Sequence, residues 1–303
     1  MQLIKQSYKR AQYLVAILFF GSILLSGCSS LQTPFTLAEN LQLTSITSSP
    51  TNVYHPGKFV WHDLLTPDIQ ASKKFYSALF GWTYEQHGAY TVIFNKQKKI
   101  GGMAEIKIEA KKETQSIWLA YMSITDVDEA TKFIKAQGGI IHQGPVNMKN
   151  RGRGVLVSDP QGAQLLLLKT SDGDPVDSEA VIGDWLWNEI WTNVPKTTIA
   201  FYQQLGKYTL HSENNNYQIL KSEGKWRAGI RDIFEDDFKV RWVTSVRVAD
   251  PEVLLDKVEN LGGVVWVRPD DASSNGDTAL ISDNTGALLM IQRWSKQSIV
   301  KGE

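Results

Sequence analysis

The sequence predicts an α+β fold: two similar domains in tandem, each made of two strand–helix–three-strand modules that form a curved mixed sheet with its helices on one side. Three observations carry this. Phe75-Tyr76 recurs as Phe201-Tyr202, an offset of 126 residues, and the surrounding text recurs with it. Each half alternates between runs of period two and runs of helical period. Strands outnumber helices by enough that the helices can cover only one face of the sheet.

Bulk composition sets the limits. The 303 residues are 42% hydrophobic, 10% aromatic and 21% charged, enough for two ordinary domains and too apolar for a disordered chain. Lys plus Arg equals Asp plus Glu at 32 each, so no net field draws the chain to nucleic acid or anionic lipid, and no nucleic-acid partner is expected. The single cysteine excludes a disulfide framework, a CxxC redox centre and a multi-thiolate zinc site.

The first element is an export signal. Lys5, Lys9 and Arg10 precede an apolar stretch from Tyr13 to Leu25, too short to span a bilayer comfortably, which predicts a signal peptide over 1–27. The stretch ends Leu25-Ser26-Gly27-Cys28, which resembles the lipobox of bacterial lipoproteins. That resemblance implies a diacylglycerol on the Cys28 thiol and an acyl chain, such as palmitate, on its amino group; several chains together make a stable anchor. Ser29, rather than Asp, follows the cysteine. In lipoproteins of two-membraned bacteria this resembles the default address to the outer membrane, so the expected location is the cell envelope. Residues 29–57 are rich in Ser, Thr, Gln and Asn and punctuated by Pro34, Pro50 and Pro56, which reads as a flexible tether over 28–57. It would hold the domains on the order of 30 Å from the bilayer.

The first domain covers 58–170. Trp61, Asp63 and Leu65 alternate with His62 and Leu64, a strand over 58–66. Asp68 can cap a helix whose stripe is Ala71, Phe75, Ala78 and Leu79, and Gly81 ends it. Strands follow at 82–86, 90–95 and 100–108. The second module repeats the order, with a strand over 117–124, a helix over about 126–137 stopped by Gly138-Gly139, and strands near Ile140, over 154–158 and over 164–169. Residues 171–181 read as a linker, 182–295 as the second domain, and 296–303 as a tail. Trp118 is matched by Trp242, Gly138-Gly139 by Gly262-Gly263, and DPQGAQLLLLK from Asp159 by DNTGALLMIQR from Asp283. One chain thus forms a monomeric pseudo-dimer.

The phrase W-x-D-L-x-T-x-D from Trp61, FY-x-x-LFGW from Phe75, the run DVDEA with Gly138-Gly139, and DPQGA resemble the vicinal oxygen chelate superfamily of glyoxalase I, extradiol dioxygenases and bleomycin-resistance proteins. The LFGW form is similar to the branch described only as glyoxalase-like. The resemblance is specific in the first domain and weaker in the second, where Gly206-Lys207-Tyr208 replaces FGW. It implies paired βαβββ modules whose sheets curve into cups with the ligand inside. It also implies, for metal-using members, His or Glu on the first, fourth, fifth and eighth strands. Alignment on the motifs puts Trp61, Leu119 and Leu166 at three of these positions, and Trp187, Val243 and Met290 at their counterparts. No metal and no other cofactor is therefore expected. His62 points to the face opposite Trp61, His87, His142 and His211 lack a partner at ligand spacing, and His55 sits in the tether.

The candidate site residues are the acids on the inward face, Asp63 and Glu189, each two residues after a tryptophan, so that Trp61 and Trp187 share their side of the strand. A carboxylate beside an indole in a dry cup can act as a general base or accept hydrogen bonds from a ligand; it can equally be a structural acid paired with arginine. Trp185, Trp187 and Trp191 share parity with Glu189, and line either the domain seam or an aromatic wall. Arg227, Arg231, Arg241 and Arg247 offer positive charge to an anionic ligand or are solvated strand faces. Three functions follow: a lipid-anchored, metal-free protein that binds or sequesters a small molecule; a lyase or isomerase of the glyoxalase/dioxygenase type; or an envelope scaffold without catalysis. Metal-dependent glyoxalase or dioxygenase activity is not expected.

Overall fold

The computed structural model of the protein describes residues 42–106, 115–214, 216–233, 239–271 and 276–294. The signal segment and Cys28 lie outside these residues. Among the described residues no helix is long and apolar enough to cross a membrane.

In the first domain β1 (Phe59–Thr66), α1 (Ile69–Phe80), β2 (Thr83–His87), β3 (Tyr90–Asn95) and β4 (Lys98–Glu105) form one module. The second comprises β5 (Ile117–Ser123), α2 (Val127–Ala136), β6 (Ile140–Met148), β7 (Gly152–Ser158) and β8 (Gln164–Thr170). The second domain repeats both, with β9 (Trp185–Thr192), α3 (Pro195–Gly206), β10 (Thr209–Asn214), β11 (Tyr217–Ser222), β12 (Lys225–Asp232), β13 (Arg241–Val248), α4 (Glu252–Asn260), β14 (Val264–Val267), β15 (Thr278–Ser282) and β16 (Leu288–Arg293). The two eight-stranded sheets share one order, β2-β3-β4-β1-β5-β8-β7-β6 and its counterpart β10-β11-β12-β9-β13-β16-β15-β14. In each, the two modules meet along their antiparallel first strands, β1 with β5 and β9 with β13, while each first strand pairs in parallel with the last of its own module.

Local chemistry explains the helix ends. Asp68 accepts from the Ala71 amide at 2.9 Å, and Asp126 from those of Asp128 and Glu129, satisfying otherwise orphaned donors. Gly81 leaves α1 in the left-handed region at φ 73°. Lys207 takes that conformation after α3, at φ 54°, where the glycine has been lost.

The helix-bearing faces of the two sheets turn toward each other. One buried cluster joins Met122, Val127, Val155 and Leu167 to Phe201, Tyr202 and Ile230; another joins Phe75, Tyr76 and Trp82 to Val246, Val258 and Leu289. Each module's helix therefore packs on the opposite domain, and the cups face away from one another. The repeated motifs supply the polar bonds of this seam. Tyr76 donates to Asp283 Oδ2 and Tyr202 to Asp159 Oδ2, both at 2.9 Å. Trp118 Nε1 donates to Tyr76 and Trp242 Nε1 to Tyr202. The other oxygen of each aspartate caps its own turn, receiving the Gln161 and Ala163 amides, or those of Thr285 and Ala287. Burial first, then the facing carboxylate, holds both tyrosine hydroxyls protonated far above the usual range.

One expectation is corrected here. Residues 43–57, assigned to a flexible tether, are packed onto the first domain: Leu43 and Ile46 are buried inside its cup, and the Thr51, Asn52, His55 and Gly57 amides bond to Asp172, Asp174 and Ser123. The His55 ring bonds Glu223 of the second domain. Polar composition concealed two apolar residues that cover an otherwise exposed apolar mouth, each burial stabilising by about 1.5 to 3 kcal/mol. The linker is likewise pinned: buried Asp174 accepts from Ser123 and Thr170, and Asp177 pairs with Lys58, Lys225 and Arg227.

Candidate functional site

In the first cup β1 presents Trp61 and Asp63 side by side, as alternation requires. Asp63 is 0% exposed and its oxygens are shared among Trp61 Nε1 (2.7 Å), Tyr90 Oη (2.6 Å) and Tyr121 Oη (2.5 Å). β4 approaches this carboxylate closely because it carries glycine there: Gly102 lies opposite Asp63, and a Cβ on it would stand 1.8 Å from the Tyr90 hydroxyl. The buried Arg151 guanidinium, from the β6–β7 turn, lies over the Trp61 ring at 4.4 Å and donates to Tyr90 Oη and to the Thr44 carbonyl. Burial pulls the Arg151 pKa down, but Tyr90, Asp63 and Tyr121 outweigh it and the net direction is up. Leu43, Ile46, Met148 and Leu156 complete the filling. Trp61 and Asp63 are together as expected, but neither is open to a ligand.

The second cup repeats the plan with other donors. Glu189 Oε1 receives Trp191 Nε1 at 2.5 Å and Arg231 Nε at 2.7 Å; Oε2 receives Tyr217 Oη at 2.9 Å and Arg231 Nη2 at 3.2 Å. Trp187 Nε1 donates to Tyr217 in turn. Gly229 stands opposite Glu189 as Gly102 does opposite Asp63, with its virtual Cβ 2.2 Å from the Tyr217 hydroxyl. Burial lowers the Arg231 pKa and Glu189 more than restores it, so the net direction for the guanidinium is up. The cup is not sealed. The Arg231 side chain is 35% exposed, and Trp187, Tyr217, Ile233, Trp266 and Leu288 are half-buried. Trp266 Nε1 has no hydrogen-bond partner among the described residues.

Trp185 departs from its expected face. The pairing of β9 with β13 slips between Trp187 and Trp185, and this bulge turns the Trp185 ring to the seam, against His62, Trp82 and Trp118. Parity counting misses a bulge. His62 occupies the seam, its Nε2 2.8 Å from Oδ1 of Asn188, the residue 126 positions on. Burial, opposed by that hydrogen bond, takes its pKa down to about 4, so the ring is neutral. Of the other arginines, Arg227 bonds Asp177 and Glu223 through Nη1 and Nη2, Arg247 bonds Glu179 and two carbonyls, and Arg241 donates to the Lys239 carbonyl. Arg151 and Tyr121 escaped the sequence reading. Only the paired glycines 101 and 102 hinted at a close approach on β4.

The positions aligned with the superfamily's metal ligands are apolar. Trp61, Leu119 and Leu166 meet in one buried cluster on the first cup, and Val243 and Met290 in one on the second. The fourth strand brings Gly102 and Ala104 beside β1, or Gly229 and Arg231 beside β9. Among the described residues no three His, Cys, Asp or Glu side chains converge. This donor set does not fit a hard divalent ion, which takes imidazole and carboxylate ligands.

The model of the Glyoxalase/Bleomycin resistance protein/Dioxygenase superfamily matches residues 58–167, the span of the first sheet. The first domain carries this superfamily's pattern. Among the chain's relatives, the glyoxylase-named protein CFP32 of Mycobacterium bovis is 28% identical over 255 residues, covering 80% of this chain and 97% of its own. The anthracycline biosynthesis protein DauV of a Streptomyces species is 26% identical over 258 residues, covering 77% and 92%. Two solved structures share the superfamily fold. A Mn(II)-bound glyoxalase from Novosphingobium aromaticivorans superposes with a TM-score of 0.56 at 11% identity, over 80% of this chain and 83% of that one. A homoprotocatechuate 2,3-dioxygenase from B. fuscum gives 0.56 at 11% identity, over 84% and 75%. The likeness in fold spans both sheets, and the tandem arrangement follows from the repeat.

Proposed function

We propose that this glyoxalase-like protein binds or sequesters a small organic molecule in its second cup without a metal, while a lipidated Cys28 anchors it in the bacterial cell envelope, at the outer membrane. The observation that carries the cup assignment is what covers each acid: both are buried, but the first lies under Leu43, Ile46 and Arg151, themselves buried, whereas the second lies under Arg231, 35% exposed, and the partly exposed Tyr217 and Trp187. A ligand there meets the free edge of Arg231 and the rings of Trp187 and Trp266, a mix of one charged group and aromatic walls suited to a planar polar compound. Turnover through Glu189 is disfavoured, because four donors already occupy its oxygens, and a general base needs a free lone pair directed at the substrate. The lyase or isomerase reading draws its support from the names of the relatives.

Native mass spectrometry of the purified full chain, with elemental analysis, tests both parts. The expected result is a co-purifying small molecule, lost in Glu189→Gln, and no stoichiometric transition metal. Bound manganese, nickel, iron or zinc at one per chain would overturn the metal-free reading. The anchor is tested separately by Cys28→Ser, which should abolish radiolabelled palmitate incorporation; equal labelling of the variant refutes it.

A further inference from the structure

A cleft of about 480 Å³ opens at the domain seam, lined by Trp61 and Trp187 but by neither acid. Its walls come from the starts of β1 and β9, the turn into β4, the N-terminal residues 46–51 and the linker residues 175–178. The volume is in the range of small-molecule sites.

Among the described residues, two buried polar atoms on side chains that line it have no hydrogen-bond partner. Arg227, whose side chain is 4% exposed, spends Nη1 and Nη2 on Asp177, yet its Nε–H has no acceptor. His62 uses Nε2 with Asn188 Oδ1, which leaves Nδ1 as an acceptor with nothing to accept. A buried donor left without a partner costs about 1 to 3 kcal/mol, so groups of this kind mark places where something else binds. Charge points the same way. Lys58, Lys98, Lys99 and Arg227 line the cleft against Asp177 and Asp184 alone, and His62 is neutral. Aromatic surface completes it: Trp226 is 38% exposed, with Trp187 packed edge-on to it at 6.4 Å between centroids.

We propose that this seam cleft is a second binding site, taking a small planar aromatic acid that carries a ring hydroxyl or N–H. The carboxylate receives the Arg227 Nε–H, the ring lies on Trp226, and the ring donor meets His62 Nδ1. An excess of positive charge selects an anion, an orphaned N–H selects an acceptor, and an exposed indole selects a flat ring. The site adjoins the second cup at Trp187 but is distinct from its acid and arginine, since neither Glu189 nor Arg231 lines it.

The test is calorimetric titration of the full chain with 3-hydroxy-2-naphthoate, with 2-naphthol as the uncharged control. Saturable binding with a dissociation constant of at most about 1 mM is expected. It should weaken at least tenfold in Trp226→Leu, a substitution at an exposed position, and at least tenfold in Arg227→Lys, while Glu189→Gln leaves it unchanged. Thermal unfolding of each variant establishes that it is folded. Absence of saturable binding, equal binding of 2-naphthol, or full binding by Trp226→Leu overturns the proposal. Loss in Glu189→Gln alone would also overturn it, by moving the ligand to the cup.

Discussion

His62 should make the stability of this protein depend on pH, with a sign and size set by its position at the seam. The ring is buried against Trp185, with ring centroids 4.3 Å apart, and its polar partner is the neutral Asn188 amide; no carboxylate bonds it. Its pKa falls from 6.5 to about 4, chiefly because burial penalises the imidazolium. Between these values the unfolded chain binds a proton that the folded chain refuses. Stability from this group is therefore complete above about pH 6.5, is lost as pH falls through about 4, and does not change further below that. The interval amounts to roughly 3 kcal/mol at saturation, of which about 2.5 kcal/mol is lost between pH 7.5 and 4.5. The perturbation is His62→Asn, which keeps a polar group opposite Asn188 and removes the titration. Melting temperatures of both proteins would be measured at pH 7.5 and 4.5. Other groups titrate in both, so the quantity read is the difference between the two pH dependences. Wild type should lose roughly 5 to 10 °C more than the variant. Parallel curves would show that the imidazolium is tolerated at the seam and that burial does not depress its proton affinity.

Three further outcomes follow from the same geometry. Asp63→Asn should lower stability by about 3 kcal/mol in thermal unfolding, since it strands the buried Arg151 charge; a variant as stable as wild type would mean that the acid is held for a ligand. Tyr202→Phe leaves Asp159 Oδ2 and Trp242 Nε1 without their shared partner, and should cost about 1 to 3 kcal/mol in urea unfolding, with Tyr76→Phe costing about the same through Asp283 and Trp118. Very unequal values would refute the pseudo-symmetric reading of the seam. Gly102→Ala should destabilise by more than about 1 to 3 kcal/mol, because its Cβ collides with the Tyr90 hydroxyl and with Asp63 Oδ1 at 2.6 Å; a melting temperature equal to wild type would count against this close approach.

Much of the architecture was legible in the chain itself. Period-two runs, helical stripes and the capping residues Asp68, Asp126 and Gly81 act over a few neighbours, and the 126-residue repeat carried them from one domain to the next. The same local logic placed Trp61 beside Asp63 and put apolar side chains where the superfamily's metal-using members keep ligands. Tertiary structure alone decided what covers each cup. Leu43 and Ile46 close the first cup from outside the domain, and Arg151 reaches Trp61 across 90 residues of sequence, contacts that no periodicity encodes. A one-residue bulge moved Trp185 from the cup to the seam, reversing the face that parity assigned to it. The motifs shared by the repeats, Phe-Tyr, the tryptophan and the aspartate turn, proved to bind each domain to the other, because a hydroxyl buried on a helix needs an acceptor and finds it only on the opposite sheet. Local sequence specifies which face of an element is apolar; what covers that face depends on chain segments far away, and so do the exposure and proton affinity of every acid, arginine and histidine beneath it.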